Sequence, residues 1–491
     1  MKFFLKVIYL FVFISTFLSC SKEYEVPQGL VLQDFVWKGL NAYYLYQDQV
    51  PDLADTRFYS DEQLNTYLST FSDYTSLFDN LKISADTRSA LIEDYTIGLN
   101  GDLRTAITNG LEFGIIADPS IPENVLGYVT HILPNSDASN KNIVRGEYFY
   151  AVNGEQLTRA NYNNILINGA NSLTLEMANF NGTLVTPNSK TVILEKQNYT
   201  YTTTLLEKTI SLNADNIGYV AYHNEFSNND INNLNNTFLN FKNQSVNKLI
   251  LDLRYSILSG GSAENISQIA SMITEQTADE ILIKEQWNSK AQSWFLENQP
   301  DSLRTLFPKE LRNSQSINSL NITDVYIILN GKNFKGSSAV ELLINSLKPY
   351  INVHLIGNQT IGDNEGTVRL YNSIDYNNSL TNNTHTVALQ PVVLNFLNKG
   401  DETYASGFLP NITLCNNEDI LNLGVLGENS DAILNSVLNY ISTGATNSAS
   451  PCNSNNFEYL YHSIDEQRRK DDDGNDFDPG VFIEQHLPNT N

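Results

Sequence analysis

Val325-Tyr326-Ile327-Ile328-Leu329-Asn330-Gly331-Lys332-Asn333-Phe334-Lys335-Gly336-Ser337-Ser338-Ala339-Val340-Glu341 is the stretch whose reading decides the fold. The run from Val325 to Leu329 has no polar face, the pattern of a strand covered on both sides. A glycine-rich turn follows, then a serine pair ahead of an apolar run that reads as a helix over Ser338 to Leu347. A second stretch has the same plan. Val353-His354-Leu355-Ile356-Gly357-Asn358-Gln359-Thr360-Ile361-Gly362-Asp363-Asn364-Glu365-Gly366 runs from a strand into another glycine turn.

Working outward, Ile217 to Tyr222 and Lys248 to Arg254 are further apolar strands, and Ala263 to Ile273 is helical. Continuous apolar strands separated by helices predict an α/β core around a largely covered sheet. Upstream, from Gly110 to Leu194, the pattern shortens to strands and turns. Gly110 to Ile116, Gly127 to Leu133 and Glu147 to Val152 are strands, and Asn153-Gly154 marks a tight turn. From Gly29 to about Leu81 the spacing is helical: Leu30, Phe35, Val36, Leu40 and Tyr44, then a Ser60-Asp61-Glu62 cap ahead of Leu64, Tyr67, Leu68 and Phe71. The chain is therefore expected to be a multidomain α+β protein.

The extreme N-terminus reads as a targeting segment. Lys2 and Lys6 precede an apolar run from Val7 to Leu18, with Ser19 just before Cys20. That run is short for a permanent span. The 491 residues suffice for several cores, and 41% hydrophobic content with 11% aromatics argues against wholesale disorder. A net charge of −25 would repel nucleic acid. Past Gly444 the tail is rich in Asn, Ser and Asp, and is expected to be loose. Its Asp471-Asp472-Asp473-Gly474-Asn475-Asp476 run is not a calcium loop. With Gly474 as the loop glycine, Arg469 and Gly480 would stand where carboxylates belong. His131, His223, His354, His385, His462 and His486 are scattered and no Cys/His spacing suits zinc, so neither metal nor cofactor is expected.

Serine attack on an amide needs a nucleophile, a base and donors for the oxyanion. Ser338 stands at a helix start, where free N–H groups stabilise developing negative charge, and the Ala339 N–H is one such donor. Ser337 is the neighbouring alternative, and either serine could instead be a helix cap.

These segments resemble the S41 family of serine peptidases, the C-terminal processing proteases. The likeness rests on Gly336-Ser337-Ser338-Ala339-Val340-Glu341, on Leu251-Asp252-Leu253-Arg254 with Ser259-Gly260-Gly261-Ser262, and on Leu389-Gln390-Pro391-Val392 with Gly407-Phe408-Leu409-Pro410. It extends to Phe35 to Tyr46, similar to the helical cap of Bacteroidetes members. Pro134 to Ala138, Arg145-Gly146-Glu147 and Val152-Asn153-Gly154-Glu155 resemble a PDZ domain. The resemblance implies a helical cap, a PDZ-like β domain and a crotonase-like, ClpP-like α/β peptidase core. Expected boundaries are 1–19 for the signal, 20–105, 106–200 and 201–445 for those three domains, and 446–491 for the acidic tail.

The resemblance also implies roles. Ser338 would be the nucleophile, with Ala339 and either Gly260 or Gly261 giving oxyanion N–H groups. Gly110, Leu111, Glu112, Phe113 and Gly114 would form the loop that holds a peptide's C-terminal carboxylate. Phe17-Leu18-Ser19-Cys20 resembles a lipobox, so a lipid on Cys20 would anchor the chain to the outer membrane, facing either the periplasm or the cell surface. Cys415 and Cys452 would then remain as a possible disulfide pair.

One position departs from the pattern. The family carries a lysine base after Gly362, and Asp363 stands there instead. A carboxylate, with an ordinary pKa of about 3.9, is a weak base for a hydroxyl and would be repelled by an oxyanion. Lys332, Lys335 and His354 are the nearby alternatives. Tyr255 to Leu258 also lengthens the glycine turn. Two functions therefore stand side by side: an envelope serine endopeptidase acting on polypeptides, and a peptide-binding protein of the same shape that does not cut.

Overall fold

The computed structural model describes residues 26–95, 105–224, 226–256, 261–276, 278–329, 336–373, 376, 385–414, 418–445, 456–467 and 480–483. The signal segment with Cys20, together with Gly260, Lys332, Lys335, Cys415, Cys452 and Asp471 to Asp476, lies outside the described residues. The chain divides into two compact units, 1–42 with 46–85 and 43–45 with 86–491.

The first unit is helical because its apolar residues recur on one face and its polar residues close the helix ends. Ser60 caps Asp61–Leu68 by accepting from the Gln63 N–H, and Asp73 forms a reciprocal box with Ser76 at the start of Tyr74–Leu81. Leu40, Leu53, Leu64, Leu68, Leu77 and Leu81 are buried. The Ser60 cap stands where the sequence places it, although the helix ends before Phe71.

Within the second unit, residues 111–195 build an antiparallel sheet. Its strand order is Leu111–Ala117, Val125–Ile132, Tyr148–Val152, Ser172–Phe180, Val185–Glu195. Leu111, Ile115, Val129, Phe149, Leu173, Leu175, Met177 and Leu194 form its core. Asn153 at φ 53° and Gly154 at φ 80° make the expected tight turn.

The α/β core follows the apolar runs closely. Asp215–Tyr222, Lys248–Asp252, Asp324–Ile328 and Asn352–Gly357 lie parallel in that order. Helices Asn228–Asn243, Ala263–Ile273 and Ser338–Leu347 supply the crossovers. Covered faces explain why these strands carry no alternation: Ile217, Ile250, Ile327 and Ile356 are all buried. A second sheet orders Gly261–Ser262, Val481–Phe482, Glu365–Thr367, Val392–Leu397, Ile281–Trp287 and Arg304–Leu306.

The tail is not uniformly loose. Tyr459–His462 adds to the free edge of Leu111–Ala117, and Val481–Phe482 enters the second sheet. Phe457, Tyr459, Leu460 and Tyr461 pack against the cores of the β domain, a short apolar run inside an otherwise polar tail.

Candidate active site

The parallel strands end together, and their outgoing loops carry the residues of interest. This is where open α/β sheets place their ligands. Gly357 at the end of one strand brings its backbone against Leu329 at the end of the next, where the Leu329 N–H donates to the Ile356 carbonyl at 2.8 Å.

Ser337 and Ser338 have separate jobs. Ser337 has extended backbone, and its hydroxyl accepts from the Val340 N–H, so it is the N-cap. Ser338 is therefore the first helical residue, and it is fully buried at 0% exposure. Ala339 follows at the second helical position, whose N–H has no intrahelical acceptor. A Cβ built on Gly261 would lie 3.6 Å from the Ala339 Cβ, so the glycine turn and the helix start are neighbours. Gly261 is bridged on one side by Phe226 and on the other by Val481.

Glu341, one helical turn after Ser338, is buried and accepts from the Gly362 and Asp363 N–H groups, each at 2.7 Å. It ties the second loop to the Ser338–Leu347 helix through charge-assisted bonds to main-chain N–H groups. Gly362 sits at φ +86°, and a Cβ there would come within 2.4 Å of the Ala405 carbonyl oxygen. The 405–408 segment is stitched to the same loop, with the Phe408 N–H donating to the Thr360 hydroxyl at 2.7 Å.

The Asp363 carboxylate faces Arg88, with Nη2 and Oδ2 2.9 Å apart and side-chain exposures of 18% and 5%. Asp86 presents Arg88 by accepting from the Arg88 and Ser89 N–H groups, both at 2.9 Å. The next residues pair as Ala90–Ile92 with Ala388–Gln390. Sequence reading missed Arg88. Its one available signal was that a buried acid in a glycine turn calls for a cation.

His354 is not placed to serve as a base. Its ring stacks on Tyr326 at 4.5 Å, Nε2 lies 3.1 Å from Asp324, and Nδ1 lies 3.2 Å from the Tyr440 hydroxyl. These partners stand toward the start of the strand, away from the glycine turn that follows Gly357.

Below the lengthened turn lies a buried charge cluster. Arg254, fully buried, pairs with Asp252 at 2.7 Å, Asp431 at 2.5 Å and Glu418 at 3.1 Å. Glu418 also takes Arg145 from the β domain at 2.9 Å and the Tyr255 hydroxyl. Burial alone would raise the Glu418 carboxyl, but the Arg145 and Arg254 guanidinium groups outweigh it and hold it at about 2. Tyr255, the first residue of that turn, is stacked on His131 at 4.4 Å, and its carbonyl is 2.8 Å from His223 Nδ1. The β domain thus grips the residue that leads into the glycine turn.

Two family models match the chain: the peptidase S41 N-terminal domain over residues 32–95, and peptidase family S41 over residues 216–411. The chain belongs to the S41 peptidase family. An S41 protease assignment from Bacteroides fragilis NCTC 9343 has a crystal structure at 20% identity and TM-score 0.63, covering 86% of this chain and 99% of its own. The photosystem II D1 C-terminal processing protease aligns at 16% identity and TM-score 0.44, covering 86% and 99%. At 20% identity the likeness to the Bacteroides fragilis structure is one of fold. No curated protein matches significantly. In S41 terms, the structure joins the serine helix, Gly261 and the Gly362–Asp363 turn into one site. The Gly362–Asp363 turn carries the Arg88–Asp363 ion pair into that site.

The loop from Gly110 to Gly114 lies at the start of the Leu111–Ala117 strand. Gly110 adopts φ +81°, and a Cβ there would collide with Ser136 at 2.1 Å. Ser463, from the chain's own tail, occupies this loop: the Phe113 N–H donates to its hydroxyl at 3.0 Å, and that hydroxyl donates to Glu112. Among the described residues, no group of three or more His, Cys, Asp and Glu side chains is placed to hold a metal ion.

Proposed function

We propose that this S41 protein binds extended polypeptide and does not run the family's serine–lysine hydrolysis. The Arg88–Asp363 ion pair carries that reading. An aspartate has no amine to take the serine proton, and a guanidinium stays protonated throughout the working range. A carboxylate beside a forming oxyanion would also raise the barrier rather than lower it. Family membership implies a polypeptide ligand. The PDZ-like reading of residues 106–200 supplies a sheet edge that suits one. The lipobox-like Phe17 to Cys20 supports anchoring at the outer membrane, on its periplasmic or surface face.

The second reading is a serine endopeptidase with Ser338 as nucleophile. It is favoured by Ser338 at the helix start and by Gly261 against Ala339. Incubating the mature protein with casein, alongside Ser338→Ala, and counting new N-termini separates the two. Equal counts are expected. Cleavage that disappears in Ser338→Ala would establish the endopeptidase. The double variant Arg88→Ala/Asp363→Lys restores an amine without setting it against a second cation, and slow Ser338-dependent cleavage is the expected gain.

A further inference from the structure

A strand edge that takes peptides should be open, and this one is filled. Tyr459–His462 runs antiparallel to Leu111–Ala117, with Tyr459 opposite Ile116, Tyr461 opposite Ile115 and His462 opposite Gly114. The Ala117 N–H donates to the Glu458 carbonyl at 2.9 Å, and Arg159 clamps the Glu458 side chain at 2.5 Å. The added strand travels toward the Gly110 loop and reaches it at Ser463. A bound peptide would approach that loop with the same polarity.

The loop itself is chemically unsuited to a free C-terminus. Glu112, 2% exposed, points its carboxylate at the group that arrives there, and that group is the Ser463 hydroxyl. A terminal carboxylate at this position would meet a buried like charge, whereas a neutral hydroxyl donates to Glu112 and accepts from Phe113. The chain then continues through Ser463–Gln467, as an internal segment must.

We propose that the edge of Leu111–Ala117, with Glu112 as its selecting residue, is a binding site for an internal, hydroxyl-bearing stretch of extended polypeptide. This chain's own Glu458–Ser463 segment fills the site in cis. The inference deepens the peptide-binding reading and rests on it for any ligand other than this segment. A second contact of the same tail acts alike: Val481–Phe482 lies parallel between Gly261–Ser262 and Gly366–Thr367, bridging the two halves of the candidate active site. The Ile483 N–H donates to the Thr367 carbonyl at 3.0 Å. A tether supplies its segment at a local concentration on the order of millimolar, so a competitor of micromolar affinity is weakened roughly 1,000-fold.

The test uses full-length mature protein with a specific protease sequence inserted between Ala449 and Ser450. The protein is nicked after folding, freed of its released fragment by gel filtration, and checked by circular dichroism. The probe is a fluorescent, amide-capped peptide of residues 457–467, read by anisotropy. Nicked protein should bind it at least 100-fold more tightly than uncut protein. Equal binding to both, or no binding to folded nicked protein, would overturn the proposal. A probe ending at Ser463 with a free carboxylate should bind the nicked protein more weakly than the amide-capped form, and Glu112→Gln should remove that preference. A preference for the free carboxylate would overturn the role given to Glu112. If nicked protein binds the probe but not casein, the cis ligand stands and the broader peptide-binding reading fails. If uncut protein binds casein and probe as well as nicked protein does, the reverse holds.

Discussion

The two halves of the candidate active site share a backbone anchor and differ in side-chain chemistry. The serine half keeps its capped helix, its first-turn serine and its apolar packing. The other half has a glycine turn and carries Asp363 against Arg88. Glu341 explains how both can be true, because it holds the second loop through the N–H groups of residues 362 and 363. A scaffold fixed through main chain leaves the side chain free to change. The backbone of this site and the chemistry of its side chains are therefore separable.

The largest effect should come from the shared anchor. Glu341→Ala removes two charge-assisted bonds and strands a buried and a half-buried N–H group, a cost of about 4 kcal/mol in denaturant unfolding, with a far smaller cost for Glu341→Gln. A loss under 1 kcal/mol would mean that the loop is held by other contacts.

Glu285 is a useful contrast, a buried carboxylate with no such anchor. One oxygen accepts from the Trp287 indole at 3.0 Å, and burial pushes the group up to about 8. Its folded pKa lies above the unfolded one, so its contribution to stability is fully present below about pH 4.3 and falls as pH rises toward 8. Glu285→Gln should stabilise by about 3 kcal/mol at pH 7 and flatten the decline of Tm between pH 5 and 8. An unchanged pH profile would show that the carboxyl is not the group that titrates.

The ion pair itself comes third. Arg88→Leu removes the cation that faces the buried Asp363 carboxylate and should cost about 2 kcal/mol, while Arg88→Leu/Asp363→Leu should recover most of it. Additive losses in that cycle would mean that the two residues do not act as a pair.

How much of this was legible follows from what each element depends on. The parallel strands were visible because both of their faces are covered, which forces continuous apolar runs such as Val325 to Leu329. The Ser60 cap and the Asn153-Gly154 turn were visible because they depend on local chemistry. Asp363 stood out only as an absence of lysine. Arg88 lies in another part of the chain, and no local pattern ties the two. Ser463 and Glu112 are 351 residues apart, and they meet because the Leu111–Ala117 edge recruits a short aromatic strand from a tail that is otherwise polar.

Fluorophosphonate labelling of the folded mature protein, with the adduct located by peptide mass mapping and compared with Ser338→Ala, tests the central claim most directly. The account predicts no adduct at Ser338, because in it the Arg88–Asp363 pair supplies no general base. Stoichiometric adduct at Ser338 that is absent from Ser338→Ala would contradict it.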